Sequence, residues 1–571
     1  MNKQLLVLGC SQTKRETDGL LPAIDRYNGS SYRVLRNFLR ERQWPAKLSV
    51  AILSAKYGLV GGFTGIEDYD ERMTLDKALK WAPECSSRLN SWAAAHSSIH
   101  FSLGKDYLPA VTPAIEQGLK RKSEIFQGPI GMKLNQIKSL LEKTRAPERL
   151  EHRLPKPGSG RITYFLPDWD DLLDEHFDFE SDEFSGESRA ERNDKHCCVL
   201  MKPKRMCDGV LVSLAQHVTS KGPLRRITGS ESHSLAPQNL RAQFGLSPNQ
   251  SLFGDCGAFS YVNEDQPVIS VEQAIALYDL HGFNFGTSVD HIPVPVIERN
   301  GVKIELSKYK RKARVETTVQ NAKQFIETAI KRNVGFIPVG VVQGLSPAEY
   351  AKTAKLYHEF GYRYLAIGGL VPLPDVAVLE IVTAVMAVVS KLRPRPWVHL
   401  FGIFRPKLQP IFRELGVDVF DSATYFRKAW LRSDQNYLAK NGKWYAALRV
   451  PMTSDGRTRM KMEDAGLNIA KLAKQEAQVL KLLNRFNRNE VGISEVLDAV
   501  IDYDERLTRS SDVRSLRSAY EKTLRDRPWR KCDCPFCREL GIHVLIFRGS
   551  NRNKRRGAHN TLMLYHRLDQ G

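Results

Sequence analysis

The stretch VETTVQNAKQFIETAIKRNVGFIPVGVVQG (residues 315–344) contains a helix pattern followed directly by a strand pattern. Its first half repeats apolar side chains at spacings of three and four, which predicts an amphipathic helix with one buried face formed by Val315, Val319, Ala322, Phe325, Ile326, Ala329 and Ile330. The run FIPVGVV (336–342) is short and apolar, so it predicts a buried strand. An amphipathic helix beside a buried strand is the repeating unit of a parallel sheet.

The same alternation continues on both sides of this stretch. The further predicted strands are GVLVSL (209–214), SLFG (251–254), FNFGTSV (283–289), YLAIGG (364–369), WVHLFGI (397–403) and VDVFD (417–421). Seven or eight repeats over roughly 230 residues fit a (β/α)8 TIM barrel better than an open sheet. The predicted fold class is therefore α/β.

Charge favours a polyanionic partner. The 571 residues include 85 Lys and Arg against 64 Asp and Glu, a formal net charge of +21. The excess is uneven: residues 506–556 hold 15 basic and 5 acidic residues, whereas residues 167–187 hold ten carboxylates and no basic residue. We therefore expect a nucleic-acid surface near the C-terminal end.

Cysteine usage and hydropathy indicate the compartment. Nine cysteines are an odd number, scattered apart from one cluster and the pair Cys197 and Cys198, which favours reduced thiols or metal ligands over a disulfide framework. No apolar run approaches the roughly 18 residues that span a bilayer, and LLVLG (5–9) is too short for a signal peptide. We expect a cytoplasmic protein without a membrane segment.

Four domains are predicted along the chain. Residues 1–150 read as a small α/β unit with strands QLLVLGCS, KLSVAILSAKYG and SSIHFSLG and with helices through SSYRVLRNFLRER and VTPAIEQGLK. Residues 160–430 form the barrel, 431–525 a helical and basic insertion or extension, and 526–571 a zinc-binding segment that closes the barrel.

Polar and aromatic residues follow the predicted barrel strands. They are Asp255, Asp290, Gln343 with Gly344, Gly368 with Gly369, Phe401 and Asp421. Active sites of such barrels lie at the carboxyl ends of the strands, so we expect these groups to converge. Two carboxylates suit substitution at an anomeric carbon, because one attacks C1′ while the other helps the leaving group depart. The amide, the glycine N–H groups and the aromatic face suit a flat nucleobase.

The segment KCDCPFCREL (531–540) predicts a metal site. Cys532, Cys534 and Cys537 form a C-x-C-x2-C motif, and His543, His559 and His566 are candidates for a fourth ligand. Three thiolates and one imidazole complete a tetrahedral Zn²⁺ shell, and a shell filled by protein is structural rather than catalytic.

These motifs resemble those of tRNA-guanine transglycosylases. GDCGAFSY (254–261) is similar to their DSGGFQ segment, GVVQG (340–344) to their VQGG, and AIGGL (366–370) to their guanine-gripping glycine pair. GVDVFDSATYFRKA (416–429) is similar to their nucleophile segment GVDMFDCVLPTRNAR, and the cysteine cluster with a later His-Asn pair to their zinc motif, which selects His559. The similarity covers residues 205–430 and 525–565.

The resemblance implies a role for each matching residue. Asp421 is the implied nucleophile and Asp255 the general acid/base. The implied base-recognition groups are Asp290, Gln343, Gly368 and Gly369, with Phe259 and Phe401 as the stacking pair. Departures from the family pattern lie at Cys256, Ala258, Ser260, Leu345 and Ser422 to Thr424, so they surround the two acids without replacing them.

Two further segments indicate DNA as the polynucleotide. YFLPDWDDLLDEHFDF (164–179) and DGVLVSL (208–214) look like the opening of the DpdA-type DNA 7-deazaguanine transglycosylases. This resemblance implies that guanine in DNA is exchanged for a base such as preQ0, by double displacement through a covalent aspartyl intermediate. It also implies partner proteins of a DNA-modification system.

The N-terminal unit carries its own resemblance. CSQTK (10–14) and LSAKYGLV (53–60) resemble a YaaA-like/DUF6884 domain, a resemblance that implies no activity. Cys10, Ser11 and Lys14 in the turn after the first strand predict either a small anion site or a purely structural turn.

The substrate sets further expectations. A target base must be single-stranded or flipped out of the duplex before its C1′ is reached. The basic residues beside the zinc segment are expected to hold phosphates: Arg548, Arg552, Lys554, Arg555 and Arg556. Two alternatives stay open, namely the same chemistry on tRNA and a catalytically silent nucleic-acid-binding module.

Overall fold

A computed structural model describes residues 4–16, 20–41, 48–62, 64–144, 154–168, 171–215, 240–332, 334–430, 434–508 and 515–569. The chain divides into two compact units. The first comprises Met1–Pro157, Leu211–Leu240 and Ser251–His399, and the second comprises Gly158–Val210, Arg241–Gln250 and Leu400–Gly571. The predicted domain boundary at residue 150 lies outside the described residues, so the four-domain division stays a prediction.

The N-terminal part of the first unit is a five-stranded sheet. Its strands are β1 (Gln4–Gly9), β2 (Leu48–Ser54), β3 (Gly58–Gly61), β4 (Ser98–Ser102) and β5 (Ser123–Ile125), in the order β3-β2-β1-β4-β5. The helices α1 (Ser30–Glu41), α2 (Leu75–Ala93) and α3 (Ile130–Lys143) complete it. β3 pairs antiparallel with β2, and the other pairs are parallel.

Successive buried side chains of β1 belong alternately to two cores, one on each face of the sheet. Leu5 and Val7 belong to a cluster that includes Leu89 of α2, and Leu6 and Leu8 belong to a cluster that includes Leu35 of α1. The predicted helix VTPAIEQGLK is interrupted: Thr112–Ala114 is α-helical and Ile115–Leu119 is a π-helical turn. Gly118 within that turn has a non-helical backbone conformation, and glycine is a weak helix former.

The predicted barrel is confirmed. Eight strands close it: β6 (Thr163–Pro167), β7 (Gly209–Ser213), β8 (Ser251–Asp255), β9 (Phe285–Thr287), β10 (Ile337–Val342), β11 (Tyr364–Ile367), β12 (Trp397–Leu400) and β13 (Val419–Asp421). Their order around the barrel is β7-β8-β9-β10-β11-β12-β13-β6. Seven were predicted from apolar runs. The eighth, β6, was not, and it pairs parallel with β13 so that Phe165 lies opposite Asp421.

Helices alternate with the barrel strands. They are α4 (Val271–Leu280), α5 (Lys308–Arg332), α6 (Pro347–Phe360), α7 (Asp375–Val389) and α8 (Gln409–Leu415). A capping box between Ser270 and Gln273 begins α4. The predicted apolar face of α5 is buried or partly buried except at Ile330, which is 68% exposed.

The second unit is rich in helices after the barrel. They are α9 (Gly456–Asp464), α10 (Ile469–Asn487), α11 (Ile493–Thr508), α12 (Arg517–Asp526), α13 (Pro535–Leu540) and α14 (Gly549–Asp569). α14 is buried from Asn551 to Tyr565 although its sequence is strongly basic. Within the described ranges, no helix is both long enough and apolar enough to cross a membrane.

Candidate active site and metal centre

Two carboxylates end barrel strands. Asp255 is the last residue of β8 and is partly exposed, whereas Asp421 is the last residue of β13 and is 5% exposed. The backbone N–H of Gly402 donates to Asp421 Oδ1 over 3.0 Å. This bond orients the carboxylate. Both acids therefore occupy the strand ends at which barrel enzymes carry their catalytic groups.

Asp290 anchors a buried polar network beyond β9. It is 3% exposed, and its Oδ2 accepts from Gln343 Nε2 at 2.7 Å while its Oδ1 accepts from the Cys256 thiol at 2.9 Å. The Tyr261 hydroxyl donates to the Asp290 backbone carbonyl at 2.8 Å. Burial raises the pKa of Asp290, and the bonds from Cys256 and Gln343 oppose that rise. A carboxylate and an amide are thus held together at the ends of two neighbouring strands.

The glycines of the predicted base pocket leave the space that the Gln343 side chain occupies. A Cβ on Gly368 would lie 2.4 Å from Gln343 Nε2, and a Cβ on Gly369 would lie 2.8 Å from Gln343 Oε1. Gly369 also has φ +71°, which disfavours other residues. A Cβ on Gly344 would lie 2.9 Å from the backbone nitrogen of Tyr350. These close approaches, which the sequence did not reveal, explain why two glycines lie against the Gln343 amide and why a third lies against the start of α6.

The two aromatic candidates differ in exposure. Phe259 lies on the 3-10 turn Ala258–Tyr261 and is 52% exposed. Phe401 directly follows β12 and is partly buried. Their role as a stacking pair stays a prediction.

The cysteine cluster and one histidine form a group that could bind a metal ion. The ligand atoms of Cys532, Cys534, Cys537 and His559 lie within 4.8 Å of one another. His559 Nδ1 faces the three sulfurs at 3.4–3.6 Å, while its Nε2 donates to the Leu438 carbonyl at 2.8 Å. The Leu438 bond therefore places the ring proton on Nε2 and leaves the Nδ1 lone pair for a metal. Three thiols and one imidazole are the donor set of structural zinc sites.

The other two histidines lie outside this group. His543 Nδ1 lies 3.3 Å from the Arg552 guanidinium, and burial lowers the pKa of His543 to about 4. His566 is partly exposed near the end of α14 and contributes no atom to the group. The geometry thus favours His559, the ligand that the resemblance selected.

A second cluster of potential ligands contains a close pair of a histidine and a carboxylate. Asp168, Asp171 and His196 are buried, and their ligand atoms lie within 4.8 Å of one another. The N–H of Cys198 donates to His196 Nδ1 at 3.2 Å, which places the ring proton on Nε2, 2.9 Å from Asp171. A protonated Nε2 beside the carboxylate offers no lone pair to a metal.

The residues predicted to hold phosphates are buried. Each exposes between 0% and 8% of its surface: Arg548, Arg552, Lys554, Arg555 and Arg556. Burial lowers the pKa of Arg556 to about 9 and that of Arg555 to about 10. These side chains therefore lie away from solvent, where a DNA backbone would have to approach.

Partners within the second unit satisfy these cations. Asp182 pairs with both Arg548 and Arg552. Lys554 donates to the Leu172 carbonyl at 3.2 Å, and Arg556 donates to three backbone carbonyl oxygens at 2.6–3.1 Å. The prediction that these five residues bind phosphates is wrong, because all five are buried and bonded within the protein: Arg548 and Arg552 to Asp182, and the other three to main-chain carbonyl oxygens.

Comparison with known proteins gives matches in both parts of the chain. A family described as Queuine tRNA-ribosyltransferase matches residues 296–477, and a family of unknown function, DUF6884, matches residues 5–139. A DNA-guanine transglycosylase from Salmonella montevideo is 33% identical over 413 residues, which are 72% of this chain and 97% of that relative.

Archaeal relatives match a smaller part. tRNA-guanine(15) transglycosylases from Methanococcus aeolicus and Methanopyrus kandleri are 25% and 28% identical over 190 and 183 residues. These alignments cover 33% and 32% of this chain, and 27% and 37% of those relatives. The similarity to the DNA-acting relative is therefore both stronger and far more extensive.

Proposed function

The chain belongs to the guanine transglycosylase family, and we propose that it exchanges guanine in DNA for a 7-deazaguanine base such as preQ0. It is thus an enzyme of the pentosyltransferase class. The choice of DNA as the substrate rests on the similarity to the DNA-guanine transglycosylase from Salmonella montevideo, which this chain matches over 97% of that relative's length.

The observation that carries the proposal is the buried pair of Asp290 and Gln343. The carboxylate accepts hydrogen bonds, while the amide both donates and accepts, so together they suit the N–H and carbonyl groups along the pyrimidine edge of guanine. A 7-deazaguanine keeps this edge and differs only in the five-membered ring. One pocket therefore serves both the leaving base and the incoming base.

The reaction is a double displacement. Asp421 attacks C1′ of a deoxyguanosine, the bond from C1′ to N9 breaks, and the departing guanine takes a proton from Asp255. The incoming base then gives its N9 proton to Asp255, and N9 attacks C1′ and releases the Asp421 carboxylate. The N–H of Gly402, bonded to Asp421 Oδ1, orients the nucleophile. Configuration at C1′ is retained because two inversions occur.

A basic helix face replaces the phosphate contacts that the sequence suggested. Lys471, Lys474 and Lys481 are exposed on one side of α10, and the acid of that helix, Glu476, is 7% exposed and pairs with Arg548. Lysines at helical spacing present several charges to a nucleic-acid backbone. We assign the DNA-facing side of the second unit to this face, with the target base flipped out or single-stranded.

Zn²⁺ is the metal that the three cysteines and His559 fit. These residues would hold the ion in a closed tetrahedral shell, where it supplies folding free energy and no catalytic step. The stacked Tyr437 ring, whose centroid is 4.2 Å from that of His559, helps to fix the imidazole. The three cysteines must be reduced before they can bind the ion, so we expect a reducing compartment such as the cytoplasm.

A tRNA substrate is the second candidate, favoured by the family match over residues 296–477. Trapping the covalent intermediate tests both candidates. We expect the original protein to form a denaturation-resistant adduct with guanine-containing DNA. The Asp421→Asn variant should form no adduct, because no other acid replaces the nucleophile. An adduct that forms only with tRNA would move the substrate to RNA. An adduct that persists in Asp421→Asn would refute the assigned nucleophile.

A further inference from the structure

The N-terminal sheet has a switch point between β1 and β4. The chain leaves β1 for β2 on one side and returns through α2 to β4 on the other side. In open α/β sheets, ligands bind beyond the carboxyl ends of the strands at such a point. Cys10 directly follows β1, Tyr107 lies five residues beyond β4, and the Cys10 sulfur is 3.1 Å from the Tyr107 hydroxyl. The two sides of the switch point therefore meet at a thiol and a phenol.

A chain of hydroxyl groups continues from this point to the end of β2. The Tyr69 hydroxyl lies 2.8 Å from Ser54 Oγ and 2.6 Å from the Tyr27 hydroxyl. Burial raises the pKa of both Tyr69 and Tyr27 well above the usual value, so both phenols stay neutral and can donate hydrogen bonds. Tyr69 and Tyr107 remain partly exposed, so a ligand can reach them.

Two lysines flank the Tyr69 ring. Lys14 Nζ lies 4.5 Å from its centroid and Lys56 Nζ lies 5.8 Å from it. Among the residues that the structure describes, neither ammonium has a carboxylate oxygen within 4.0 Å, although Glu71 interacts with Lys56 at longer range. By contrast, Lys77 in the same sheet domain pairs with Glu71 at 2.6 Å. We call this group of Cys10, Tyr107, Tyr69 and the two lysines the crevice. In the crevice, two cations lie beside neutral hydroxyl groups.

We propose that this crevice binds a phosphate monoester carried by a nucleoside. Lys14 and Lys56 would neutralise the dianion, the Tyr69 hydroxyl would donate to one of its oxygens, and the rings of Tyr69 and Tyr107 would contact the nucleoside, while the Tyr107 hydroxyl stays bonded to the Cys10 carbonyl. The helix start nearby is not the binding group, because Ser11 Oγ already accepts from the N–H groups of Asn28 and Gly29. The site is separate from the barrel and independent of the base exchange proposed above.

Two sources could supply this ligand: a free nucleotide, or the 5′-phosphate at the end of a DNA strand. Calorimetry on the full chain distinguishes them with AMP and with DNA hairpins of one sequence that carry either a 5′-phosphate or a 5′-hydroxyl. Adenine avoids the guanine pocket of the barrel. We expect AMP to bind more tightly than adenosine, or the phosphorylated hairpin to bind more tightly than its hydroxyl counterpart.

Variants identify the binding groups. Lys14→Gln and Lys56→Gln should each weaken the phosphate-dependent binding about tenfold, since each removes one charge-assisted contact. Lys138→Gln, an exposed lysine on α3, is the matched control and should change nothing. Base exchange should be unaffected in all three variants, which keeps this test apart from the proposed function.

A chemical measurement on the unchanged protein tests the same proposal if a variant folds poorly. Alkylation of Cys10 in the unchanged protein, followed by mass spectrometry, should slow when AMP or the phosphorylated hairpin occupies the crevice. Absence of any phosphate-dependent binding, or binding that survives removal of both lysines, would overturn the proposal. Unprotected Cys10 at saturating ligand would overturn it as well.

Discussion

Replacing Gly368 by alanine should disable base recognition while leaving the fold in place. The new Cβ would lie 2.4 Å from Gln343 Nε2, about 1 Å inside ordinary contact, so the amide must move by about that distance. Such a move breaks the 2.7 Å bond from Gln343 to Asp290, a bond to a charged group worth about 1.5–3 kcal/mol. Overpacking of the strand end adds about 1–3 kcal/mol of instability.

The assay is base exchange with labelled guanine, measured as kcat/KM together with the melting temperature. A displacement of about 1 Å at a substrate-positioning group costs about 100-fold in rate, so we expect kcat/KM to fall by that factor with a modest fall in melting temperature. Gly131→Ala, where the added Cβ meets nothing within 4 Å, is the matched control and should retain full activity. A Gly368→Ala enzyme within twofold of the original kcat/KM would refute the assigned role of Gln343.

Three further perturbations test the rest of the account. Cys534→Ser should lower the zinc content, the melting temperature and the activity together, and an unchanged melting temperature would contradict the structural role of the metal. Asp182→Asn leaves two buried guanidinium groups without their shared counter-charge and should cost about 3–5 kcal/mol in urea denaturation. Glu175→Gln, an exposed acid of the same segment, should cost little, and equal effects of the two variants would argue against the buried pairing. Lys474→Gln combined with Lys481→Gln should reduce the slope of log affinity for duplex DNA against log salt by about 1.8, and an unchanged slope would move the DNA contacts elsewhere.

The barrel could be predicted because most of its strands and helices have a clear local sequence pattern. The run 336–342 is apolar enough to read as a buried strand, and the spacing along α5 reads as one face of a helix. Strand β6 could not be predicted in this way, because TYFLP is short and leads directly into an acidic run. Its partner β13 lies more than 250 residues further along the chain, and local periodicity carries no information on such a pairing.

The candidate site also has a part that could be predicted from the sequence and a part that could not. The positions of Asp255 and Asp421 at strand ends follow from the strand pattern, whereas their roles follow only from the resemblance and remain proposals. The contacts of Gln343 with the two glycines, and of Asp290 with Cys256, depend on packing between neighbouring strands. No single segment of sequence specifies these contacts.

Charge counting failed where acids and bases meet across long sequence separation. The start of α14 is strongly basic in sequence, yet Arg556 is fully buried and bonded to carbonyl oxygens. Asp182, more than 360 residues before its partners, neutralises Arg548 and Arg552. A local excess of charge therefore measures composition, and only the fold decides whether that charge faces solvent.

The most direct test of the central claim is incorporation of labelled guanine or preQ0 by the purified protein, offered DNA in one reaction and bulk tRNA in another, with Asp421→Ala as the control. Exchange of guanine in DNA for a 7-deazaguanine base predicts label in DNA alone and none with the variant. Label in tRNA alone would contradict the DNA assignment, and label that persists with Asp421→Ala would contradict the covalent mechanism.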